Sequence, residues 1–552
     1  IRFGNEAHYQ EDLATIKAKF TQLMKVGVRE FGILADDAPS PVGGYNSYNR
    51  LMQDMTKWLT EMQGTYSGLR KEMIFVPGQY WGNGREDELK SLNENLPSST
   101  SMTLTGGKIW GEVSESFLST LKNNLSAGGK TYRPVSLWIN WPVTDNSKQH
   151  LILGGGEKFL HPNVDPSLLS GIMLNPMQQS EPSKIALFSG AQYSWKQWKS
   201  EEEAKKINDI AFNFVENGHF EDSKVSAAFR ELGKHMINQN MDNRVVKLEE
   251  SVDLAPKLTD FMTKLKAGQD VTAERAALRA EFAKIKDAAE LYKASGDKKM
   301  VAQIHYWLDN AIDQMNALDA FLTGTEAMAT NDAAKLWDSY YKGLKLYEQS
   351  QTHTFHYVDH MEKAELGVQH IRPFILSLKE VLASEVQKVL HPDQIISTFI
   401  TNRTGVEGGL AEVTDGDLAT HAIIKSPNSI KTGDYIGMKF NKPVAIQTLT
   451  FAMGTQANPR DTFSKAEVQY QDENDNWVTL KEPSYVGNES LLKFENLTIK
   501  AKAVRMIATA DRENTWFAVQ EIAVNRPVEK ARSQQATTVS LSSNLVYKLN
   551  TS

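Results

Sequence analysis

Two adjacent aspartates, Asp36 and Asp37, follow a short apolar run and could do acid and base chemistry. The run FGIL at 31–34 is typical of a buried strand in a parallel sheet. Pro39 forbids that strand from continuing, so both carboxylates would lie where the strand opens into a loop. In a (β/α) barrel, the ends of the strands form the rim that holds the catalytic residues.

The adjacency of the two aspartates limits how they can act together. Side chains alternate between the faces of a regular strand, so neighbouring carboxylates would point apart. Both can face one pocket only where the pleat breaks, and Ala38-Pro39 would supply that break. The alternative is a turn or a helix N-cap, because Asp favours both positions.

Five strand-like runs alternate with amphipathic segments over residues 1–198, which predicts parallel βα units. The runs are 30–37, 73–80, 101–110, 135–143 and 170–177. Polar or aromatic residues lie at or just after the ends of most of them, namely Asp36, Asp37, Tyr80, Thr105, Asn140, Asp145 and Asn175. A closed barrel of this kind needs eight strands, so we expect its first strands to be missing from this chain.

Two segments with different sequence patterns follow. Long amphipathic patterns over 199–395 predict an α-helical bundle, with Leu258, Phe261 and Leu265 on one apolar face. Short alternating strands over 396–526 predict a β-sandwich, in which AEVQYQDENDNWVTL forms two strands around a polar turn. Residues 527–552 begin as a polar linker or open a further domain.

Composition excludes several classes of function. The net charge is −7 without a long basic run, which argues against nucleic acid as a partner. The chain has no cysteine, so disulfides, thiolate zinc sites and a Cys nucleophile are excluded. No apolar run approaches the ~20 residues of a membrane span.

Six motifs in order resemble the catalytic barrel of glycoside hydrolase family 84, which includes O-GlcNAcases and hyaluronidase-like β-N-acetylglucosaminidases. They are LADD at 34–37, VPGQY at 76–80, TGG at 105–107, WINWPVTD at 138–145, HLILGGGEKFL at 150–160 and LNPMQQSEPSKIALF at 174–188. The resemblance implies a (β/α)8 TIM barrel and a retaining exo-β-N-acetylglucosaminidase without a catalytic cofactor. It covers about residues 1–198 well and the bundle more loosely.

The resemblance also implies substrate-assisted catalysis, an exception to the rule of two enzyme carboxylates. The sugar's 2-acetamido oxygen attacks its own anomeric carbon, and water then opens the oxazoline. Asp36 would accept the acetamido N–H, and Asp37 would act as general acid and then as general base. The implied substrate contacts are Tyr80 and Trp138 at the acetamido group, Asn140 bracing that region, Thr105 beside it, Asp145 at O4 and O6, and Asn175 at O3.

This sequence departs from the family at some positions. Leu104 stands where the family usually has Trp, and Leu34-Ala35 stand where aromatic residues or glycine usually precede the acidic pair. The first two strands of the family barrel supply a glycine and a lysine to the sugar pocket, and neither strand is present. We therefore expect the missing N-terminal part of the same barrel to be a partner of this chain.

The β segment resembles a discoidin-like F5/8 type C jelly roll of carbohydrate-binding family 32. The matching pieces are 412–422, 435–454, the VQYQDENDNWVTL run and 516–524. The family often holds a structural calcium ion, and Asp415, Asp417, Thr420 and Glu521 match its oxygen ligands by position. A solvated acidic turn is the alternative. Trp516 and Phe517 could form a platform for a sugar, although core packing competes for at least one of them.

Several alternatives stay open at this point. Within the family, the substrate could be hyaluronan rather than a terminal β-GlcNAc of glycans or glycoproteins. A non-catalytic carbohydrate-binding adhesin and a bundle that acts as an interaction scaffold are the alternatives of another class. We expect a secreted or cell-surface bacterial protein, with the cytoplasm as the alternative. His353, His356 and His360 fit one helical face, but no nearby acid completes a metal site.

Overall fold

The computed structural model describes residues 5–38, 44–145, 147–239, 244–390, 395–487 and 489–528. The chain divides into two compact units. The first comprises Ile1–Gln239, Asn243–Leu248 and Ser295–Ile304, and the second comprises Asn240–Asp242, Glu249–Ala294 and His305–Ser552. Pro39 and the segment 529–552 lie outside the described residues.

A five-stranded parallel sheet forms the centre of the first unit, as the alternating pattern predicted. Its strands are β1 Phe31–Leu34, β2 Met73–Val76, β3 Thr100–Leu104, β4 Val135–Ile139 and β5 Leu169–Leu174. They pair in chain order, β1-β2-β3-β4-β5. Among the described residues β1 pairs only with β2 and β5 only with β4, so closure into a barrel stays a prediction.

In the described part of the first unit, eight complete helices and one 3-10 turn precede, connect or follow these strands. The helices are α1 Glu6–Lys25, α2 Asn46–Met62, α3 Asp87–Asn95, α4 Glu115–Leu125, α5 Gly156–Phe159, α6 Ser180–Trp195, α7 Glu201–Asn217 and α8 Lys224–Gly233, and the turn is Pro166–Leu168. The sequence analysis assigned α7 and α8 to the bundle, whereas they group with the first unit. No helix in the described part of the chain is long and apolar enough to span a bilayer.

The two faces of the sheet differ in chemistry. On β4, Val135, Leu137 and Ile139 are fully buried and belong to the core that the helices cover. Ser136 and Trp138 alternate with them and therefore lie on the opposite face. The Ser136 hydroxyl lies 2.6 Å from that of Thr103 on β3, in a buried contact. This second face is hydroxyl-rich, and its row of side chains leads toward the strand ends.

Five longer helices follow in the sequence and confirm the predicted bundle. They are α9 Ala255–Lys266, α10 Thr272–Ser295, α11 Lys298–Thr330, α12 Ala333–Ser350 and α13 Ile371–Leu390. Aromatic rings join them, because Phe374 of α13 packs on Phe261 of α9 and on Phe282 of α10, with ring centroids 5.9 and 6.1 Å apart. Arg275 of α10 donates to the Thr325 hydroxyl of α11 at 2.8 Å.

The placement of the three histidines on one helical face was wrong. A hairpin of β6 Thr354–Tyr357 and β7 His360–Lys363 occupies this stretch. His356 lies on β6, His360 begins β7, and His353 precedes the hairpin and contacts Asp313 at 2.7 Å. Val358 takes a left-handed conformation, φ 51°. The chain therefore turns back two residues after His356, where a helix would have continued. Among the described residues no group of three or more His, Cys, Asp or Glu side chains is arranged to hold a metal.

The C-terminal segment is an antiparallel β-sandwich, as predicted. Its strands are β8 Ser397–Thr401, β9 Val406–Glu407, β10 Ala422–Ile424, β11 Ser429–Ile430, β12 Tyr435–Ile446, β13 Leu449–Met453, β14 Ala466–Gln471, β15 Trp477–Thr479, β16 Leu491–Phe494, β17 Ile499–Ala508, β18 Arg512–Glu513 and β19 Phe517–Val524. One sheet has the order β16-β13-β19-β10-β9 and the other β15-β14-β17-β12-β8, with β11-β18 as a small third sheet. The β14–β15 pair is the predicted hairpin around a polar turn.

A largely buried ion pair fixes one edge of this sandwich. The Arg403 guanidinium donates to Asp434 Oδ2 at 2.6 Å and to the Ser429 carbonyl at 2.9 Å. The two charged side chains are only 10% and 9% exposed. Removing one partner of such a pair leaves an uncompensated charge out of water, which is costly.

We therefore expect Asp434→Ala to destabilise the sandwich by about 3–5 kcal/mol. Lys500→Ala is the matched control in the same sandwich, because Lys500 pairs with Glu473 at 2.6 Å with both side chains more than half exposed. That exposed pair is worth about 0–1 kcal/mol. Native-state hydrogen exchange of the β12 amides measures both variants, and equal protection in the two would contradict this prediction.

Candidate active site

The acidic pair lies in a turn directly after β1. The backbone N–H of Ala35 still donates to the Val76 carbonyl at 2.8 Å, as a continuation of the β1–β2 ladder. The Ala38 N–H then donates to the Ala35 carbonyl at 3.3 Å and closes a turn. Asp37 has φ 55°, so the pleat is already broken at Asp37. Both carboxylates are exposed to solvent.

Tyr80 holds the second aspartate of the pair, Asp37. Its side chain is nearly buried, and its phenol donates to Asp37 Oδ1 at 3.0 Å. Burial, then the hydrogen bond to Asp37 and the negative charges of Asp37 and Asp36, raise the pKa of Tyr80 to about 12. The phenol stays protonated and remains a donor throughout the neutral range.

Thr105 braces the loop that follows β3. Its backbone N–H donates to the Tyr80 carbonyl at 3.0 Å, and its hydroxyl donates to the Lys108 carbonyl at 2.5 Å. The side chain is 4% exposed. Its hydroxyl hydrogen is therefore committed to the loop, and Thr105 positions the site rather than presenting a free donor to a ligand.

Two glycines let this loop close on itself. A Cβ on Gly111 would lie 2.3 Å from the Thr105 carbonyl oxygen, and one on Gly106 would lie 2.6 Å from the Glu112 backbone nitrogen. Gly106 also has φ 87°, a conformation that other residues rarely adopt. The loop from Thr105 to Glu112 therefore depends on glycine at both positions.

Asn140 is the centre of a second cluster at the ends of β4 and β5. Its Oδ1 accepts from Trp138 Nε1 at 2.9 Å and from Asn175 Nδ2 at 3.0 Å. Its Nδ2 donates to the Ile109 carbonyl at 2.7 Å. Two donors converge on one oxygen, which fixes the orientation of the amide. The Ile109 carbonyl belongs to the Thr105–Glu112 loop, so this loop links both clusters.

Asp145 is the predicted site residue on the loop after β4. It is exposed on the loop after β4, two residues beyond Val143, whose N–H donates to the Asn175 carbonyl at 3.0 Å. That loop is anchored by Trp141, which is fully buried and donates to the Gly154 carbonyl at 2.8 Å. The structure thus places Asp145 on an anchored loop at the same edge of the sheet.

Glu88 is a positioning residue that the sequence analysis missed. It is 2% exposed on α3 and accepts from the backbone N–H groups of Gly78 at 3.0 Å and Gln79 at 2.9 Å. Burial raises its pKa, and the two backbone bonds oppose that rise. These bonds hold the segment that leads to Tyr80. In the sequence, Glu88 looks like an ordinary acidic residue in the first turn of a helix, so no signal marks it.

The two aromatic residues of the predicted sugar platform differ in the sandwich. Trp516 is 40% exposed, and Lys425 Nζ lies 5.5 Å from its ring. Phe517 is 1% exposed and packs edge-on against Phe463 at 4.7 Å. The prediction was wrong for Phe517, because this first residue of β19 points into the sandwich core and offers no face to a ligand.

Two of the four residues predicted to bind calcium gather oxygen atoms. The Thr420 hydroxyl lies 2.8 Å from Asp415 Oδ2, 2.8 Å from the Asp417 carbonyl and 3.1 Å from the Glu412 carbonyl. A hydroxyl has one proton, so it satisfies only one of these three acceptors at a time. The Asp417 carboxylate is turned away and accepts from the Ala419 N–H at 2.8 Å.

The fourth residue, Glu521, is held by protein groups. Its side chain is fully buried, Oε2 accepts from the Gly416 N–H at 2.9 Å, and Oε1 forms an ion pair with Arg526. Burial raises the pKa of Glu521, and the Arg526 guanidinium opposes that rise. The site therefore fits a cation in part, through Asp415, Thr420 and two carbonyls, while Arg526 already neutralises Glu521.

Comparisons with known proteins match two parts of the chain. Residues 1–233 match the family model for β-N-acetylglucosaminidase, and residues 397–522 match the F5/8 type C domain. The solved structure named CpGH84D is 29% identical over 69% of this chain and 60% of its own, with TM-score 0.58. CpGH84B is 22% identical over 68% and 62%, with TM-score 0.54. A mutant of the Thermobaculum terrenum O-GlcNAc hydrolase is 18% identical over 71% and 79%, with TM-score 0.55.

The chain spans part of the length of the structures that it resembles. It covers 60% and 62% of the first two structures. The two more distant structures share the fold, at 22% and 18% identity.

The raised pKa of Tyr80 gives a prediction for alkaline pH. The difference in phenolate absorbance between the wild type and Tyr80→Phe should stay flat through pH 10, where a free tyrosine ionises, and rise near pH 12. Because the pKa is raised, the bond to Asp37 stabilises the fold below pH ~10 and is lost as the pH passes about 12. A difference signal that already rises at pH ~10 would contradict the buried, hydrogen-bonded phenol.

Proposed function

We propose that this chain, whose residues 1–233 belong to the β-N-acetylglucosaminidase family, acts in a retaining glycoside hydrolase that removes terminal β-linked GlcNAc from glycans or glycoproteins. The observation that carries the proposal is the hydrogen bond from the buried Tyr80 hydroxyl to Asp37, which follows Asp36 at the end of β1. Two carboxylates and a neutral phenol at strand ends supply a base, an acid and a hydrogen-bond donor in one place.

The proposed reaction uses the sugar's own amide as nucleophile. The acetamido oxygen attacks the anomeric carbon while Asp36 accepts the amide N–H and stabilises the positive charge that develops. Asp37, protonated, gives its proton to the leaving oxygen. In the second step Asp37 takes a proton from water, which opens the oxazoline and regenerates the acetamido group. No enzyme nucleophile and no cofactor take part.

The remaining residues of the site support this geometry. Tyr80 would donate to the acetamido group or the oxazoline once its hydrogen bond to Asp37 is broken. Trp138, half-buried beside Asn140, would wall the acetamido methyl group. Asn140 spends both ends of its amide on protein partners and so braces this wall, while Asn175 and Asp145 are proposed for the O3 and the O4 and O6 hydroxyls.

The roles of the two aspartates predict different responses to the leaving group. Asp37→Asn in the full-length protein should lower kcat/KM by about 10²–10⁴ for an aryl β-GlcNAc with a poor leaving group, and much less for a good one that needs no proton. Asp36→Asn should slow the hydrolysis of both substrates, because Asp36 acts on the acetamido group rather than on the leaving group. Trifluoroacetyl in place of acetyl on the sugar nitrogen should slow the wild type by weakening the nucleophile.

Glu94→Gln is the control, because Glu94 pairs with Lys130 at the surface at 2.9 Å. An Asp37→Asn variant as fast as the wild type would refute the proposed role of Asp37. Binding of glycans without any turnover by the wild type would instead favour the alternative of a non-catalytic carbohydrate-binding protein. A fall in the viscosity of hyaluronan would identify the hyaluronidase alternative.

We further propose that the F5/8 type C domain at 397–522 binds glycans through the exposed face of Trp516 and holds a structural Ca²⁺ ion. Support for calcium comes from the oxygen atoms around Thr420. Asp415 Oδ2 and the Asp417 and Glu412 carbonyls are three acceptors, but the Thr420 hydroxyl has one proton to donate. Hard oxygen ligands suit calcium. The predicted secreted or cell-surface location stays a prediction.

A calcium titration tests this second proposal. The unfolding temperature of the sandwich should rise with added CaCl₂ and fall back with chelator, because an ion that binds only the folded state stabilises it. Asp415→Asn should remove that response, whereas Asp475→Asn, at the exposed turn between β14 and β15, should keep it. A wild-type midpoint that is the same in calcium and in chelator would argue against a bound ion.

A further inference from the structure

An exposed tryptophan follows Tyr80 in the turn after β2. The Gly82 N–H donates to the Gln79 carbonyl at 2.9 Å, which makes Tyr80 and Trp81 the two central residues of a tight turn. Tyr80 is nearly buried, whereas Trp81 is 43% exposed. Consecutive Cα atoms lie about 3.8 Å apart, so Trp81 begins at the rim of the candidate active site. The reaction proposed above gives this residue no role.

Carboxylates hold the backbone on both sides of this turn. On the entry side, Glu88 accepts from the two backbone N–H groups that precede Tyr80. On the exit side, Glu86 Oε2 accepts from the N–H groups of Asn83 at 3.1 Å and Gly84 at 2.9 Å. The tryptophan is therefore displayed on a fixed backbone, and a ligand that binds it need not order the turn first.

The exposure of Trp81 does not come from an open edge of the sheet. β2 lies between β1 and β3, so the turn that follows it has a strand end on either side. In the described part of the first unit, the other strongly exposed aromatic side chains are Trp195, Phe214 and Phe220, on or just after α6 and α7. Trp81 is thus the exposed aromatic residue at the strand ends that carry the acidic pair.

The proposed chemistry directs the leaving group toward this turn. Asp37 would protonate the glycosidic oxygen, so the group beyond that oxygen leaves past the Asp37 carboxylate. The Tyr80 phenol donates to this carboxylate at 3.0 Å, and Trp81 is the next residue of the chain. A leaving group that is larger than a methyl group would therefore meet the turn that carries Trp81.

We propose that Trp81 is a specificity residue for the leaving group, and that its indole stacks on a neutral pyranose ring next to the GlcNAc that is removed. The inference rests on the proposed function and adds the substrate class, which is glycans rather than glycoproteins. A pyranose ring presents C–H groups on one face, and these can cover an indole ring. Such contact removes apolar surface from water on both partners.

A peptide is a poorer occupant of this place. Extended peptides usually add to a free sheet edge, and helical peptides lie in an apolar groove. β2 already pairs with β1 on one side and with β3 on the other. The F5/8 type C domain at 397–522, for which glycan binding is proposed above, also agrees with a sugar as the next residue of the substrate.

The charges around the turn favour a neutral sugar over a uronate. Three acidic residues, 86–88, follow the turn against one basic residue, Arg85. Asp36 and Asp37, at the end of the neighbouring strand β1, add charge of the same sign. A sugar carboxylate at this place would be repelled, whereas a neutral ring would not.

The experiment measures kcat/KM of the full-length protein on a GlcNAc-β-galactose disaccharide and on methyl β-GlcNAc. Trp81→Ala should lower kcat/KM about five- to tenfold for the disaccharide and by less than about twofold for the methyl glycoside, because only the disaccharide reaches the indole. Trp81→Phe should keep most of the activity on the disaccharide. Trp195→Ala removes a 93% exposed tryptophan at the end of α6 and should change neither value.

Three results would count against the proposal while the proposed function stands. Equal losses on both substrates in Trp81→Ala would overturn the stacking role, because the residue would then act only through Tyr80. A larger loss on a GlcNAc-serine glycopeptide than on the disaccharide would overturn the sugar ring as the occupant. Faster cleavage of a GlcNAc-β-glucuronate disaccharide than of the galactose one would overturn the preference for a neutral ring.

Failure of the proposed function itself gives a different result. If the wild type cleaves neither substrate, the proposed function fails, and a calorimetric titration with the galactose disaccharide tests Trp81 alone. The wild type should then bind the disaccharide about five- to tenfold more tightly than Trp81→Ala does. Equal affinities of the two proteins would overturn the stacking role.

Discussion

The hydrogen bond from the Tyr80 phenol to Asp37 is the interaction on which the candidate site depends. It joins the segments that follow β1 and β2 and fixes the Asp37 carboxylate beside a neutral phenol. The left-handed turn at Asp37 makes this possible, because it rotates the second aspartate out of the alternation of the strand. Glu88 supports the arrangement from beneath by fixing the backbone that leads to Tyr80.

A second constraint is the stiffness of the loop after β3. Its glycines press backbone against backbone, and its Ile109 carbonyl holds Asn140, which in turn holds Trp138 and Asn175. One loop therefore supports the wall of the proposed sugar site and, through Thr105, the backbone of Tyr80.

The alternation of apolar runs and amphipathic segments was enough to predict five parallel strands in chain order and an antiparallel sandwich at the end. The sequence pattern gave a wrong prediction at His353, His356 and His360, where a helix and a hairpin are both compatible with the spacing. A short hairpin places such residues as close together as a helical turn does. The pattern failed again at Phe517, because neighbours on a strand face opposite sides and only one of Trp516 and Phe517 could remain exposed. Glu88 carried no signal, because its role depends on how α3 packs against the backbone of Gly78 and Gln79.

The sequence by itself determined which segments become strands and helices, and it placed the chemistry at the strand ends, because periodicity and turn residues act locally. Only the tertiary structure decided which side chains spend their hydrogen bonds on the protein, as Thr105 and Asn140 do, and which stay free. It also decided that the loop after β3 reaches both Tyr80 and Asn140. Such convergence depends on the pairing of distant backbone segments, and no local pattern records that pairing.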